Sequence, residues 1–386
     1  MRVLCLSQDL GIHIDGTKGA AAHLRSIVAG FTAAGHAVTF MSPALESGNN
    51  SRLAVKLLGL SDGLSPKVHK RVGRALRHIW ANASVEIALE SAIAATRPDL
   101  VYERYGPFAV AGGIVARRHG IPHILEVNSP LAREGTLYRN QALGEAASAL
   151  EASAFDTAGA ILAVSDDLKN ELVADGAEAE RIQVVPNGFD AARFVPAPLS
   201  SNGTVTFGFV GGLRPWHGIA DMAEAFRRVV ERIDCRLLVI GTGPEVGRLR
   251  ELAAELPDRV ELTGAVPHDE VPDLLRRVDV ALAPYPAVEN FYYSPLKLFE
   301  YMGTGRAIIA SRIGQVETLL IDGETALTVP PGDVAALAEA MIRLGADPGL
   351  RSRLGARAAE VAHRDHSWAG RIERITAIAR RLGATG

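Results

Sequence analysis

The sequence predicts an α/β protein built from two parallel-sheet domains, and three observations carry that prediction. The chain has 386 residues, more than one hydrophobic core usually supports. Short apolar runs alternate with amphipathic helical stretches almost throughout, as they do where strands of a parallel sheet are joined by helices. The alternation also happens twice, with a stretch rich in Pro, Ser and Asn at residues 194–203 separating the two runs.

In the first run, residues 3–7 read as a strand, a Gly-rich loop follows at 11–19, and residues 20–34 read as a helix stopped by Gly35. Residues 37–41, 100–102, 123–127 and 160–164 supply further strands. The half closes near Asn187-Gly188, a dipeptide that marks a tight turn. The second run restarts with a strand at 205–210 and continues with strands at 237–240, 260–262, 280–283, 307–310 and 326–329. Helices are expected at 218–230 and 334–344, and residues 367–382 form a long amphipathic helix after the last strand.

Composition narrows the classes of function. Hydrophobic residues make up 48% and charged residues 22%, the balance of an ordinary globular protein. A net charge of −3 argues against a nucleic-acid binder, which carries a basic excess. No apolar run approaches the roughly 20 residues that span a bilayer. The start, Met1-Arg2-Val3-Leu4-Cys5-Leu6-Ser7, reads as a first strand and not as a signal peptide, so the expected location is cytoplasmic. Cys5 and Cys235 each fall in a strand-like segment and read as buried thiols. No metal-ligand spacing is visible.

Residues 52–77 hold Lys or Arg at 52, 56, 67, 70, 71, 74 and 77 against a single acid, Asp62. A solvated helical face accounts for this, and so does contact with an anionic acceptor or a peripheral membrane surface.

The segment from Tyr292 to Gly303 reads as a loop delivering a charged helix. Ser294 suits the N-cap and Pro295 the first helical position, so Leu296 and Lys297 fall in the first turn and Glu300 one turn later. Helix-start amides and the Lys297 ammonium favour an anion such as a diphosphate. Glu300, an acceptor, suits a vicinal diol such as a ribose. The same three-residue spacing equally describes an ordinary surface pair.

Ligands of parallel sheets bind at the carboxyl ends of the strands. There the chain places Gly211-Gly212-Leu213-Arg214-Pro215-Trp216-His217, whose glycines let amides approach a phosphate and whose Arg214 and His217 add donors. Gly241 follows the next strand, and Val266, in Thr263-Gly264-Ala265-Val266-Pro267, follows the one after and could wall a base. In the first half, Gly16, Lys18 and Gly19 precede a helix bearing His23, which reads as a surface or packed residue ahead of a catalyst. Glu126 and Asn128 end the strand at 123–127 and point toward the same ligand region. The first loop is neither a Gly-x-Gly-x-x-Gly fingerprint nor a Walker A loop.

Together with Ala33-Ala34-Gly35-His36-Ala37-Val38, Val164-Ser165-Asp166-Asp167-Leu168-Lys169, Val184-Val185-Pro186-Asn187-Gly188-Phe189-Asp190 and Asp322-Gly323-Glu324-Thr325-Ala326, these stretches resemble glycosyltransferase family 4 over nearly the full chain. The resemblance implies the GT-B fold, two Rossmann-like domains facing a central cleft. It places an acceptor domain at residues 1–195 with the final helix, 367–386, crossing back to it, and a donor domain at residues 203–366. It also implies retaining transfer from a nucleotide diphosphate sugar, UDP- or GDP-linked, to an acceptor, with Glu300 on the ribose and no metal or other cofactor. Lys297 and Asn128 are then the candidates for the reacting centre. Tyr292, Gly212 and His217 stand where the family commonly carries a glutamate, an arginine and a lysine, so Lys297, Arg214 and helix dipoles are expected to hold the diphosphate. A non-catalytic nucleotide-sugar binder, a sugar phosphorylase and an epimerase are alternatives on the same fold.

Overall fold

A computed structural model describes residues 1–16, 19–43, 66–138, 140–198 and 203–385. The chain divides into two compact units, Met1–Pro186 with Arg371–Gly386, and Asn187–Gly370. Each unit holds one six-stranded, all-parallel sheet.

The first sheet comprises β1 (Arg2–Ser7), β2 (Ala37–Met41), β3 (Leu100–Arg104), β4 (His123–Val127), β5 (Ala160–Ala163) and β6 (Ile182–Val184), in the order β2-β1-β3-β4-β5-β6. The second comprises β7 (Val205–Val210), β8 (Cys235–Ile240), β9 (Val260–Gly264), β10 (Val280–Ala283), β11 (Ala307–Ser311) and β12 (Leu327–Val329), in the order β12-β11-β10-β7-β8-β9. Strand order reverses between β1 and β3 in one sheet and between β7 and β10 in the other. Carboxyl ends at such reversals are where open α/β sheets bind ligands.

The second sheet shows why its strands were legible. Phe207, Phe209, Leu237, Val239, Val280, Leu282, Ala307 and Ile309 enter one core cluster. Their neighbours Val210, Leu238, Ile240, Ala281, Ala283, Ile308 and Ala310 enter the other. Both faces are covered, so successive residues of these strands are apolar through their centres, with polar residues such as Thr206 and Arg236 near the ends.

The unit boundary at 186/187 lies ahead of the Pro- and Ser-containing stretch, because Phe189 and Phe194 are buried in the second unit's core. Asn187-Gly188 forms no tight turn. The Asn187 amide N–H donates to the Ser294 hydroxyl at 3.1 Å and its side-chain amide to the Ser294 carbonyl at 2.6 Å. After the last helix of the second unit's fold, Pro348–Asp365, helix Trp368–Arg381 carries the chain back into the first unit. There Ile372 lies against Gly30, and Leu382 lies against Gly159.

Cys5 and Cys235 are free and buried, and burial pushes both thiols up to about 12. Among the described residues no helix is long and apolar enough to cross a membrane. Of the basic segment, Arg52 and Lys56 lie outside the described residues, whereas Lys67, Lys70, Arg71, Arg74 and Arg77 lie on helix Pro66–Thr96.

Candidate functional site

In the second unit, helix Leu296–Gly303 starts one residue later than the capping rule predicts. Pro295 takes the N-cap position with an extended backbone and no side-chain cap. Ser294 does not cap, since its hydroxyl is committed to Asn187. The helix is anchored beneath the sheet instead, where the Val210 N–H donates to the Tyr301 hydroxyl at 2.7 Å.

This seating buries Lys297 to 8% exposure and Glu300 to 7%, so neither belongs to a surface pair. The Lys297 ammonium lies 3.9 Å from the centre of the Phe209 ring and 5.8 Å from that of Tyr285, and its Nζ has no hydrogen-bond partner among the described residues. A cation over an aromatic face is partly compensated, but an ammonium with three unmade bonds is costly to bury. Burial accordingly pulls Lys297 down to about 7, with Glu300 opposing the fall. The Tyr285 hydroxyl, also buried and unpaired, is pushed up by burial.

Gly211 lies directly against the amine: a Cβ there would stand 3.3 Å from Nζ. The following loop folds back so that the His217 Nδ1 meets the Gly212 carbonyl. A carbonyl only accepts, so Nδ1 carries the proton and Nε2 is left as an acceptor. Burial first, and then the Lys297 charge, lower His217 to about 3, so it is neutral at physiological pH. The expectation that His217 adds a donor is corrected accordingly: it adds no cation beside Lys297, and its Nδ1–H is already spent on the loop itself. Arg214 is exposed, its guanidinium 5.8 Å from the Trp216 ring centre. The turns after β7 and β8 interlock. The Gly211 N–H donates to the Ile240 carbonyl at 2.9 Å, the Leu213 N–H to the Thr242 carbonyl at 3.0 Å, and a Cβ on Gly241 would stand 2.0 Å from the Gly211 carbonyl oxygen.

Glu300 accepts a hydrogen bond from the His268 Nε2 at 2.7 Å, and His268 rests against the Phe194 ring at 5.7 Å between centroids. His268 escaped the sequence reading; its position just after Val266, in the segment following β9, was the available signal. Val266 is half-buried against the core. Tyr292 is buried with its ring 4.5 Å from that of Tyr293. Glu289 is exposed.

In the first unit, two of the singled-out residues, His23 and Asn128, converge on the carboxylate of a third, Glu126. His23 Nε2 stands 2.9 Å and Asn128 Nδ2 2.9 Å from the same Glu126 oxygen, and the Tyr102 hydroxyl donates to the other at 2.6 Å. His23 and Glu126 are both 4% exposed, so His23 is packed and paired. Burial alone would raise the Glu126 carboxyl, but His23, Arg104 and Tyr102 outweigh it and hold it at about 2. Asn128, expected near the reacting centre, is held by Glu126 and remains half-exposed. Gly16 is tied into its loop, its carbonyl accepting from Arg25 Nη1 at 2.8 Å. Gly19 is the first residue of helix Gly19–Ala33, and Lys18 lies outside the described residues. A second buried carboxylate, Glu103, bonds Gln8 at 2.7 Å and His123 at 3.0 Å; nothing local in the sequence pairs these three.

The depressed Glu126 has a measurable consequence. Its stabilisation is present above the unfolded carboxylate range near 4.5 and is lost as pH falls toward 2. By the size of that shift, roughly 3 kcal/mol of stability is expected to vanish between pH 5 and 2. Urea titrations at stepped pH should show this loss, and Glu126→Gln should flatten the slope; an equal slope in the variant would place the acid lability elsewhere.

Two six-stranded parallel sheets, each with a strand-order reversal, form the architecture of a GT-B glycosyltransferase. The family model for Glycosyltransferase Family 4 matches residues 17–193, and that for Glycosyl transferases group 1 matches residues 204–347. A D-inositol 3-phosphate glycosyltransferase from Acidothermus cellulolyticus is 30% identical over 312 residues, covering 73% of this chain and 67% of its own length. A phosphatidyl-myo-inositol mannosyltransferase from Mycolicibacterium smegmatis is 34% identical over 215 residues, 54% of this chain, so the chain spans about half (53%) of that relative. Among solved structures, sucrose-phosphate synthase from Thermosynechococcus elongatus superposes with a TM-score of 0.75 at 19% identity, covering 100% of both chains. Anabaena HepE in complex with UDP gives 0.70 at 18%, covering 99% of this chain and 100% of that one. The chain belongs to glycosyltransferase family 4.

Proposed function

We propose that this protein is a retaining glycosyltransferase that binds a nucleotide diphosphate sugar in its second unit and an acceptor in its first. One observation carries the reading: an amine buried without a hydrogen-bond partner, at the start of a helix and at the strand-order reversal of the sheet. Such a group is costly to keep until an anion arrives, and a diphosphate supplies the missing acceptors.

Donor binding engages Lys297 and the first-turn amides of helix Leu296–Gly303 with the diphosphate, Glu300 with the ribose, and the Gly211-Gly212 turn with a phosphate oxygen. Glu300 shares its carboxylate between His268 and the ribose, the imidazole fixing its orientation. His217, neutral, serves the sugar as an acceptor through Nε2. Transfer breaks the bond from C1 to the diphosphate oxygen as the acceptor oxygen bonds C1 from the same face, and the acceptor proton passes to the departing phosphate. Negative charge grows on the diphosphate as it leaves, so Lys297 and the helix start, and not a metal, stabilise the transition state. That HepE was captured with UDP supports a uridine donor, with GDP the next candidate.

The test is thermal unfolding with UDP, GDP, dTDP and ADP. At about 100 times its dissociation constant a ligand stabilises by roughly 2.7 kcal/mol, which moves the melting temperature by a few degrees. One nucleotide is expected to do this and to fail with Glu300→Ala. No shift with any of the four would refute the donor assignment.

A further inference from the structure

Helix Pro66–Thr96 carries a charge pattern that the donor site does not use. Lys67, Lys70, Arg71, Arg74, Arg77 and His78 recur at three- and four-residue intervals and so share one stripe. The acids of this helix, Glu86 and Glu90, lie further along and are taken by Arg118 and His119. The stripe runs to the carboxyl end of the first sheet. His78 packs on the Phe108 ring, centroids 6.3 Å apart, in the loop after β3, and the Asn82 side chain on the same helix donates to the Phe108 carbonyl at 2.9 Å. That loop in turn abuts β1's end, where a Cβ on Gly106 would stand 2.8 Å from the Asp9 nitrogen. Arg104 ends β3 beside Ser7, the last residue of β1.

Arg104 therefore stands at the strand-order reversal of the first sheet, and Arg77 sits next to His78, whose ring lies on Phe108 in the loop after β3. The Nε of Arg77 and the Nε of Arg104 are both buried without a hydrogen-bond partner among the described residues. The Glu126 carboxylate near Arg104 is already bonded by His23, Tyr102 and Asn128. Among the described residues, Asp9 is the acid set against His78 and its arginine neighbours, and its Oδ1 is engaged by the Gly11 N–H at 2.7 Å. The region holds more fixed positive charge than these acids compensate, at the place in the sheet where a ligand sits.

We propose that this end of the first unit is an anion subsite and that the acceptor carries a phosphate monoester, bound by Arg77 and Arg104 with Arg74 assisting from the rim. The proposal rests on the transferase reading, since it specifies the acceptor of that reaction. Planar guanidinium groups pair phosphate oxygens through two parallel hydrogen bonds, which suits the recognition of such a group better than a point charge does.

The experiment titrates the full chain with glucose 6-phosphate, with glucose as the neutral control, and separately with vesicles containing phosphatidic acid, whose headgroup is a phosphate monoester, following binding by calorimetry or sedimentation. Expected is saturable binding of the sugar phosphate but not of glucose, weakened at least tenfold by Arg77→Gln and by Arg104→Gln. Arg74→Glu, at an exposed position that packing does not depend on, should weaken it severalfold while leaving the melting temperature unchanged. Vesicle binding with the same arginine dependence would identify the phosphate as a headgroup and equally support the subsite. Binding that survives the arginine changes, or that disappears in Lys297→Met, would overturn the proposal, the latter because the phosphate would then occupy the donor site. Nucleotide binding is read in the same preparations. A protein that ignores all four nucleotides yet binds sugar phosphate through Arg77 and Arg104 loses the donor assignment and keeps the anion subsite.

Discussion

Lys297→Met should yield a protein that is more stable and nearly inactive. The amine is buried, unpaired and drawn down to about 7 by that burial, so the folded protein bears the cost of holding its charge. In the unfolded chain the same amine titrates at its ordinary value near 10.5. Folding therefore releases a proton between pH 7 and 10.5, and the charge penalty is full below pH 7, shrinks across that window and vanishes above it. Methionine fills similar space over the Phe209 ring without a charge to desolvate. Relief of roughly 1–3 kcal/mol is expected at pH 6.5, the scale on which apolar replacement of buried charge relieves other folds, and little at pH 10. Turnover should fall about 10²- to 10³-fold, as it does when a group stabilising developing negative charge is removed. Urea unfolding at the two pH values, together with sugar transfer or donor hydrolysis, checks both halves. A variant less stable at pH 6.5 than the parent would show that the charge serves the fold, and the anion-site reading would fail.

The contrast between Lys297 and its neighbours shows what a sequence can disclose about such a site. Strands β7 to β12 were legible because a strand covered on both faces is apolar at most positions, as in Val205–Val210, where Thr206 is the one polar residue. β6, only Ile182–Val184 with a polar residue at its centre, is too short for that signal and was not foreseen. Ser294 obeyed a local capping rule in sequence but lost its hydroxyl to Asn187, which lies 107 positions away. The pairing of His268 with Glu300, 32 positions apart, is equally invisible to local rules. His23 read as a surface or packed residue, and only the approach of β4 to helix Gly19–Ala33 joins it to Glu126. Residue identity located the loops at the strand ends, but the charge state of His217 and Lys297 depends on burial, which only the tertiary structure supplies.

Gly241→Ala should destabilise the protein strongly, and for a reason confined to backbone geometry. Gly241 has a φ of +139°, a conformation that side chains rarely adopt, and its Cβ would stand 2.0 Å from the Gly211 carbonyl oxygen. That oxygen cannot swing aside as a flexible side chain would, because the Gly211 N–H is bonded to the Ile240 carbonyl and the next residues are tied to Thr242 through Leu213. Backbone strain costs about 1–3 kcal/mol and overpacking a further 1–3 kcal/mol, so a loss of roughly 2–6 kcal/mol is expected. The clash also pushes on Gly211, which lies against the Lys297 amine, so nucleotide-induced stabilisation should weaken even in the fraction that folds. Gly247→Ala is the matched control: it lies in helix Val246–Glu255 with nothing within 4 Å of the added carbon. There alanine should stabilise by up to about 1 kcal/mol through helix propensity. Chemical denaturation of the pair, with and without nucleotide, measures the difference; a Gly241→Ala protein as stable as its parent would mean that the two turns are not locked together as their hydrogen bonds imply.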